Sequence, residues 1–437
     1  MTAGVERSGA LSARARRVLP GGNTRTTVYE RPFPRYAARG VGPWLTDVDG
    51  HRLLDCLNNY TALIHGHAYP PVLAAASQQL AFGTCFGLPT ETEIQLAELL
   101  QSRVPAFEAI RFTNSGTEAV MQAVKAARAY TGRPLIAKCE GAYHGSYDYV
   151  EVSLDSPPDR WGEADRPARL PYAVGTPPSV VEDVLVLPFN AVAEARRLLV
   201  AAGPSLAAVL VDGMPNRAGL APASAAYLGM LREVTRQVGA VLILDEVITF
   251  RLGPAGLRGL TGLEPDLTTL GKIIGGGFPI GAVAGARDVM AVFDPSAGRP
   301  RLPHGGTFNA NPMSMVAGLA ALSNLDPASF AALARMGDRV RHELDAALRE
   351  AGVDGVVTGQ GSLFKVHLGS GPVTDYRSAA AHPSDRVQRL HQRLLASGVL
   401  IGHDGLGCLS TVMTDQHLEQ VVAAFRRSLN DPGVARA

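Results

Sequence analysis

The feature that most constrains this chain is an alternation that begins near residue 110. Short apolar runs at Ile110–Thr113, Leu135–Lys138, Ala207–Val211, Val241–Asp245, Leu267–Leu270 and Ala282–Gly285 are interleaved with helix-period stretches such as Glu118–Tyr130 and Ala225–Val238. Short continuous apolar runs read as strands buried on both faces, and helical crossovers let successive strands lie parallel. The expected fold class is α/β, a large domain built on a mainly parallel sheet. In such sheets ligands sit beyond the carboxyl ends of the strands. Several of the runs end directly in polar motifs, so the chemistry is expected along one edge of one sheet.

The flanks read differently. Ser8–Arg17 suits a short helix stopped by Pro20–Gly21–Gly22, and Trp44–Gly50 suits a hairpin turning at Asp49–Gly50. Asp47 and Asp49 lack the further acid and closing glutamate of a calcium loop. After Asn311–Pro312, helical runs to Asn324 and over Ala331–Ala351 lead into a strand, Leu363–Leu368, and helices Asp385–Ser397 and Gln416–Leu429. The expected organisation is an N-terminal arm and hairpin over 1–60 that packs with a small domain, a large domain over 61–312, and a small α+β domain over 313–437. Segment 151–184, rich in Pro, Asp and Arg, reads as a mobile surface excursion.

Composition narrows the partners. With 41 basic and 40 acidic residues, charge points to neither nucleic acid nor a membrane surface. The four cysteines show no CxxC spacing, as expected of reduced thiols in the cytoplasm. His65 and His67 have no carboxylate or cysteine at a matching spacing, so no metal site is expected.

Four motifs carry chemistry. Asn114–Ser115–Gly116–Thr117–Glu118 follows a strand and opens a helix. Ser115 and Glu118 fit a capping box, and the same helix start fits a phosphate cradle. Gly141–Ala142–Tyr143–His144–Gly145 sets an aromatic between small residues, as a stacking partner or a buried loop tyrosine. Val241–Asp245 ends in Asp245–Glu246, and a buried carboxylate needs a cation or hydrogen-bond donors. A protonated pyridine nitrogen would serve Asp245, with Val247 against one ring face and Tyr143 on the other. Asp266–Gly271 ends at Lys272, against Gly275–Gly276–Gly277. Thr307, in Gly305–Phe308, offers a second hydroxyl to a phosphate. Together these supply a phosphate site, ring stacking, a pyridinium partner and an imine-forming lysine, the protein's share of pyridoxal 5'-phosphate chemistry.

On these residues the chain resembles the class III aminotransferases of the fold-type I pyridoxal phosphate enzymes. The likeness runs from about Pro20 to the C-terminus and is closest to the glutamate-1-semialdehyde aminomutase and β-amino-acid transaminase branch. Its most specific pieces are Arg111–Ala119, Gly141–Gly145, Asp245–Val247 and Asp266–Gly277. Pro20–Arg25 and Arg251 look more like the β-amino-acid members. The resemblance implies Lys272 as imine former and proton shuttle, Asp245 on the pyridine nitrogen, Tyr143 on the ring, and Ser115, Gly116 and Thr117 on the phosphate. His144 and Val247 are expected beside the cofactor, and Thr307 on the phosphate of a neighbouring subunit, hence a homodimer. The implied reaction is two-step amino transfer between a small-molecule donor, an amino acid or amine, and a carbonyl acceptor. Alternatives are a 2,1-aminomutase, or decarboxylation, epimerisation or carbon–carbon bond formation on the same scaffold. A binding protein built on a dead scaffold is disfavoured because the lysine, the ring acid and the phosphate loop are all present.

Two departures stand out. Asp212–Gly213 occupies the place of a Glu-Pro common in relatives. His403–Asp404–Gly405 stands where β-amino-acid transaminases tend to carry an arginine. A pocket-facing Asp404 would repel a substrate carboxylate. Arg25 is the expected carboxylate anchor, with Tyr60 beside it in the substrate pocket.

Overall fold

A computed structural model describes residues 4–435. Its centre is a seven-stranded sheet: β1 (Ala109–Thr113), β2 (Leu135–Cys139), β3 (Val184–Leu187), β4 (Leu206–Asp212), β5 (Val241–Asp245), β6 (Leu267–Gly271) and β7 (Gly281–Gly285). The spatial order is β1-β7-β6-β5-β4-β2-β3. Neighbours from β3 across to β6 pair in parallel, and β7 alone runs against both β6 and β1. Every residue of β4, β5, β6 and β7 is buried. Layers cover both faces, which explains runs without polar alternation.

The expected strands are all present, and β3 is an addition. It lies at the end of segment 151–184, whose middle is met by a network of side-chain contacts. Arg377 donates to the carbonyls of Trp161, Gly162 and Glu163 and pairs with Glu140 at 2.8 Å. The Trp161 ring packs edge-on against Tyr376.

Helix α1 (Gly116–Thr131) begins where Ser115 Oγ accepts the Glu118 N–H, and it stops at Gly132, which is left-handed. Small buried residues, Ala119, Ala123 and Ala127, let it lie close on the sheet. Helix α2 (Ala225–Val238) repeats the pattern, with Ser224 capping and Gly239 ending it.

The chain ends meet away from the central sheet. Strand Arg52–Asp55 pairs in parallel with Val399–Leu400, so the N-terminal hairpin shares a sheet with the C-terminal region. A three-stranded antiparallel sheet, Gly355–Thr358, Leu363–Leu368 and Leu406–Cys408, lies among the C-terminal helices. The hairpin tip also holds the arm. Asp49 accepts the N–H groups of Arg7 and Ser8 and the Ser8 hydroxyl, at the first turn of helix Glu6–Ala15. Asp49 is thus a helix-start acid. Among the described residues no single helix is long and apolar enough to cross a membrane.

Candidate active site

One row of residues crosses the carboxyl ends of three strands. Asp212 of β4 faces Asp245 of β5 in register, and Asp245 faces Thr269 of β6. In-register neighbours on adjacent strands point to the same side of a sheet. Thr269 Oγ1 confirms that side by donating to Asp245 Oδ1 at 3.2 Å. The Val247 N–H donates to the same oxygen at 3.0 Å. His144 Nδ1 lies 2.7 Å from Asp245 Oδ2. A carboxylate has about four acceptor positions, so Asp245 keeps capacity for one more cationic donor. His144 is buried, and its Nε2 has no hydrogen-bond partner. Burial lowers the His144 imidazole below its ordinary value, although Asp245 opposes the shift.

Lys272 stands at the end of β6, on a left-handed backbone with φ of 49°. That conformation is strained for a side chain with a Cβ and points to a position fixed by function. Burial lowers its amine below the usual lysine range, with Arg251 adding to the effect and Asp245 and Asp212 opposing it. A neutral amine is the nucleophilic form, and the shift favours it.

The loops close around this row. A Cβ on Gly116 would meet the Val247 methyl groups at 3.0 Å, so the helix start and Val247 touch. Gly145, with φ of 94°, carries the 143–145 loop against Thr117, where a Cβ would fall 2.4 Å from Thr117 Oγ1. Ser146 N–H donates to that same hydroxyl at 3.3 Å. Ser115, Gly116, Thr117, Tyr143, His144, Asp245, Val247 and Lys272 therefore form one cluster. Tyr143 is 46 % exposed. Ser115 satisfies the capping expectation, while Glu118 reaches back to the Asn114 N–H at 2.7 Å.

Thr307 lies outside the cluster and is exposed. Its loop is tied to the start of helix α1 through Asn309, which accepts from Asn114 at 2.8 Å and contacts His304, itself held by Arg111. Sequence reading missed this network, because its members are linked only by side chains far apart in the chain.

Glu246 does not join Asp245 in the site. Its carboxylate accepts the N–H groups of Leu257 and Arg258, and burial raises it to about 7. Arg251 is fully buried, donating to Ser362 Oγ at 2.9 Å and the Thr61 carbonyl at 3.1 Å, with Leu409 completing the set. It clamps three segments together behind Lys272. His65 bonds Thr411 and the Ala321 carbonyl, and His67 bonds Asp55.

The residues expected at the substrate end come from three distant segments. Arg25 is exposed, donates to Asn59 Oδ1 at 2.8 Å, and lies 5.9 Å over the Tyr60 ring. Tyr60 is left-handed within the run Asn58–Thr61 and donates its hydroxyl to the Thr27 carbonyl. Asp404 has partners of its own: Lys365 Nζ lies 2.9 Å away and Asn216 Nδ2 donates at 3.0 Å. These partners hold it well below the usual carboxylate range, against the opposing effect of burial. Lys365 was overlooked because it lies on an apolar strand 39 residues from its acid.

The donor set fits pyridoxal phosphate: a half-buried lysine, a carboxylate with a spare acceptor position, an exposed aromatic ring and a helix start beside a hydroxyl. That combination defines a fold-type I pyridoxal phosphate enzyme. The chain belongs to the class III aminotransferases, whose family description matches residues 26–429. It is 39% identical to a glutamate-1-semialdehyde 2,1-aminomutase of Methanothermobacter thermautotrophicus, over 97% of this chain and 99% of the relative. It is 40% identical to a β-phenylalanine transaminase of Variovorax paradoxus, over 94% and 89%. A solved ω-transaminase from Sphaerobacter thermophilus superposes with a TM-score of 0.94 at 54% identity, covering 97% of each chain.

Proposed function

We propose that this enzyme is a transaminase acting in two half-reactions. It takes an amino group from an amino acid, β-amino acids included, or from an amine, and passes it to a keto or aldehyde acceptor. The observation that carries the reading is the strained, partly buried Lys272 beside the row Asp212–Asp245–Thr269. Bound pyridoxal phosphate supplies the carbonyl that takes up the amine and a ring that withdraws electrons from the carbon losing its proton. Ser115, Gly116 and Thr117 hold the phosphate with N–H groups, hydroxyls and the helix dipole. Tyr143 and Val247 would lie against the ring, and Asp245 would hold the proton at its nitrogen. Lys272 Nζ would bind the cofactor between turnovers and, when free, carry the proton lost by the substrate carbon. Arg25, Tyr60 and the Asp404 loop form the substrate end. The enzyme acts as a homodimer in the cytoplasm, with Thr307 reaching the partner's phosphate.

A 2,1-aminomutase is the second reading, favoured by the aminomutase relatives. Borohydride reduction of the loaded protein followed by peptide mapping tests the site: the tag falls on Lys272, and a tag elsewhere ends the reading. Nitrogen-15 from a labelled donor appearing in a separate acceptor identifies the transaminase. Label retained within one rearranged substrate identifies the mutase.

A further inference from the structure

Four consecutive residues, Asn58–Thr61, take a left-handed backbone, with φ of 48°, 49°, 54° and 72°. A single left-handed asparagine is ordinary, but a run that takes in a tyrosine and a threonine is strained and persists only where its surroundings hold it. The Leu57 and Asn58 N–H groups both donate to Asp55 Oδ1 at 2.8 Å, and Asn58 Nδ2 donates to the Cys408 carbonyl at 3.1 Å. At the far end Arg251 donates to the Thr61 carbonyl at 3.1 Å. Asn58 and Thr61 are fully buried, so the turn is anchored at both ends. Its two middle side chains reach the arm. Asn59 Oδ1 accepts from Arg25 Nη1 at 2.8 Å, the Arg25 guanidinium lies 5.9 Å over the Tyr60 ring, and the Tyr60 hydroxyl donates to the Thr27 carbonyl.

The acids at this junction are committed elsewhere. The two whose charges act on Tyr60 are Asp404, paired with Lys365 at 2.9 Å, and Glu30, paired with His391 at 3.0 Å. Among the described residues no carboxylate forms an ion pair with Arg25, whose one hydrogen bond goes to a neutral amide oxygen. A guanidinium carries five N–H donors, so most of the fork is unspent. The geometry points to Asn59 as a positioning residue that sets donor selectivity: it holds one edge of the Arg25 guanidinium with an uncharged acceptor and leaves the remaining donors, with the full charge, for a substrate carboxylate. This inference rests on the reading of Arg25 as the carboxylate anchor. Asparagine meets both demands of the position, since it tolerates left-handed backbone and accepts a hydrogen bond without neutralising the donor. An aspartate would keep the shape and the acceptor but form an ion pair that competes with the substrate.

The test measures kcat and KM of the holoenzyme for 3-aminobutanoate and for isopropylamine, a donor pair that differs only by the carboxylate. It compares wild type with Asn59→Gly, Asn59→Asp and Arg25→Ala. Glycine accepts the positive φ, so Asn59→Gly is expected to fold with an unshifted melt. Its kcat/KM for 3-aminobutanoate should fall about threefold to tenfold relative to isopropylamine, with the loss in KM. Asn59→Asp should lose at least as much selectivity, because its charge occupies the guanidinium. An unchanged donor ratio in Asn59→Gly, equal losses for the two donors, or a wild-type ratio in Asn59→Asp overturns the proposal. Arg25→Ala separates the two readings. A selective loss there with an unchanged ratio in Asn59→Gly removes only the role of Asn59; an unchanged ratio in Arg25→Ala removes Arg25 as the anchor.

Discussion

The proposed cofactor end and the proposed substrate end of this site are built on opposite plans. The first is a set of strand ends, fully paired and held by close glycine contacts, with its row of side chains fixed by sheet register. The second is a meeting of loops. Arg25 comes from an exposed arm, Tyr60 from a left-handed turn, and Asp404 from a turn 188 residues beyond its partner Asn216. Register cannot drift without exposing a core strand, whereas loops change at little cost. On the proposed reading, chemistry is placed where the fold is least free, and selectivity where it is most free.

Substitutions should respect that division, and the largest effect should fall on the row. Asp245→Asn removes the charge proposed to hold the ring proton and leaves His144 facing an amide. Its kcat should fall on the order of 10²–10³-fold with little change in KM, measured by single-turnover amino transfer. Gly145→Ala drives a Cβ into Thr117 at a left-handed position, so it should destabilise by about 1–3 kcal/mol and weaken pyridoxal phosphate retention. Melting with and without cofactor checks it, and an unchanged melt would show that the two loops are not held against each other.

At the substrate end, Asp404→Asn tests the ion pair. The carboxyl is held low in the folded state, so its contribution is fully present above about pH 4, the unfolded value, and is lost as pH falls further. The melting difference between wild type and variant should therefore be constant near neutrality and shrink in acid. The smallest structural effect belongs to Arg25→Ala, with stability changed by about 0.5 kcal/mol or less. KM for carboxylate-bearing donors should nonetheless rise about tenfold at similar kcat, while amines without a carboxylate remain unaffected. Equal losses for both donor types would show that Arg25 serves the arm rather than the substrate.

The same contrast explains what the sequence made legible. Asp245, Lys272, Tyr143 and the Ser115–Thr117 loop each sit just after an apolar run, so local pattern and chemistry coincide. Strand β3 was hidden because Val184–Leu187 is short and follows a Pro-rich stretch. The pairing of Asp212 with Asp245 is invisible along the chain, since only strand order brings β4 beside β5. Lys365 within an apolar strand gave no sign of Asp404, and Arg251 gave no sign that it would be spent on hydroxyl and carbonyl groups of three segments. Side chains that act through distant partners are written in topology, and topology is what a linear pattern specifies least.

The latch at Asp49 has a practical outcome. Because the hairpin tip fastens the first turn of the arm, and the arm carries Arg25 to Tyr60, the socket at Asp49 and the ring at Tyr60 are the two ends of one tether. On the reading proposed above, grafting a different arm onto an intact Asp49 socket would change which molecules the enzyme admits.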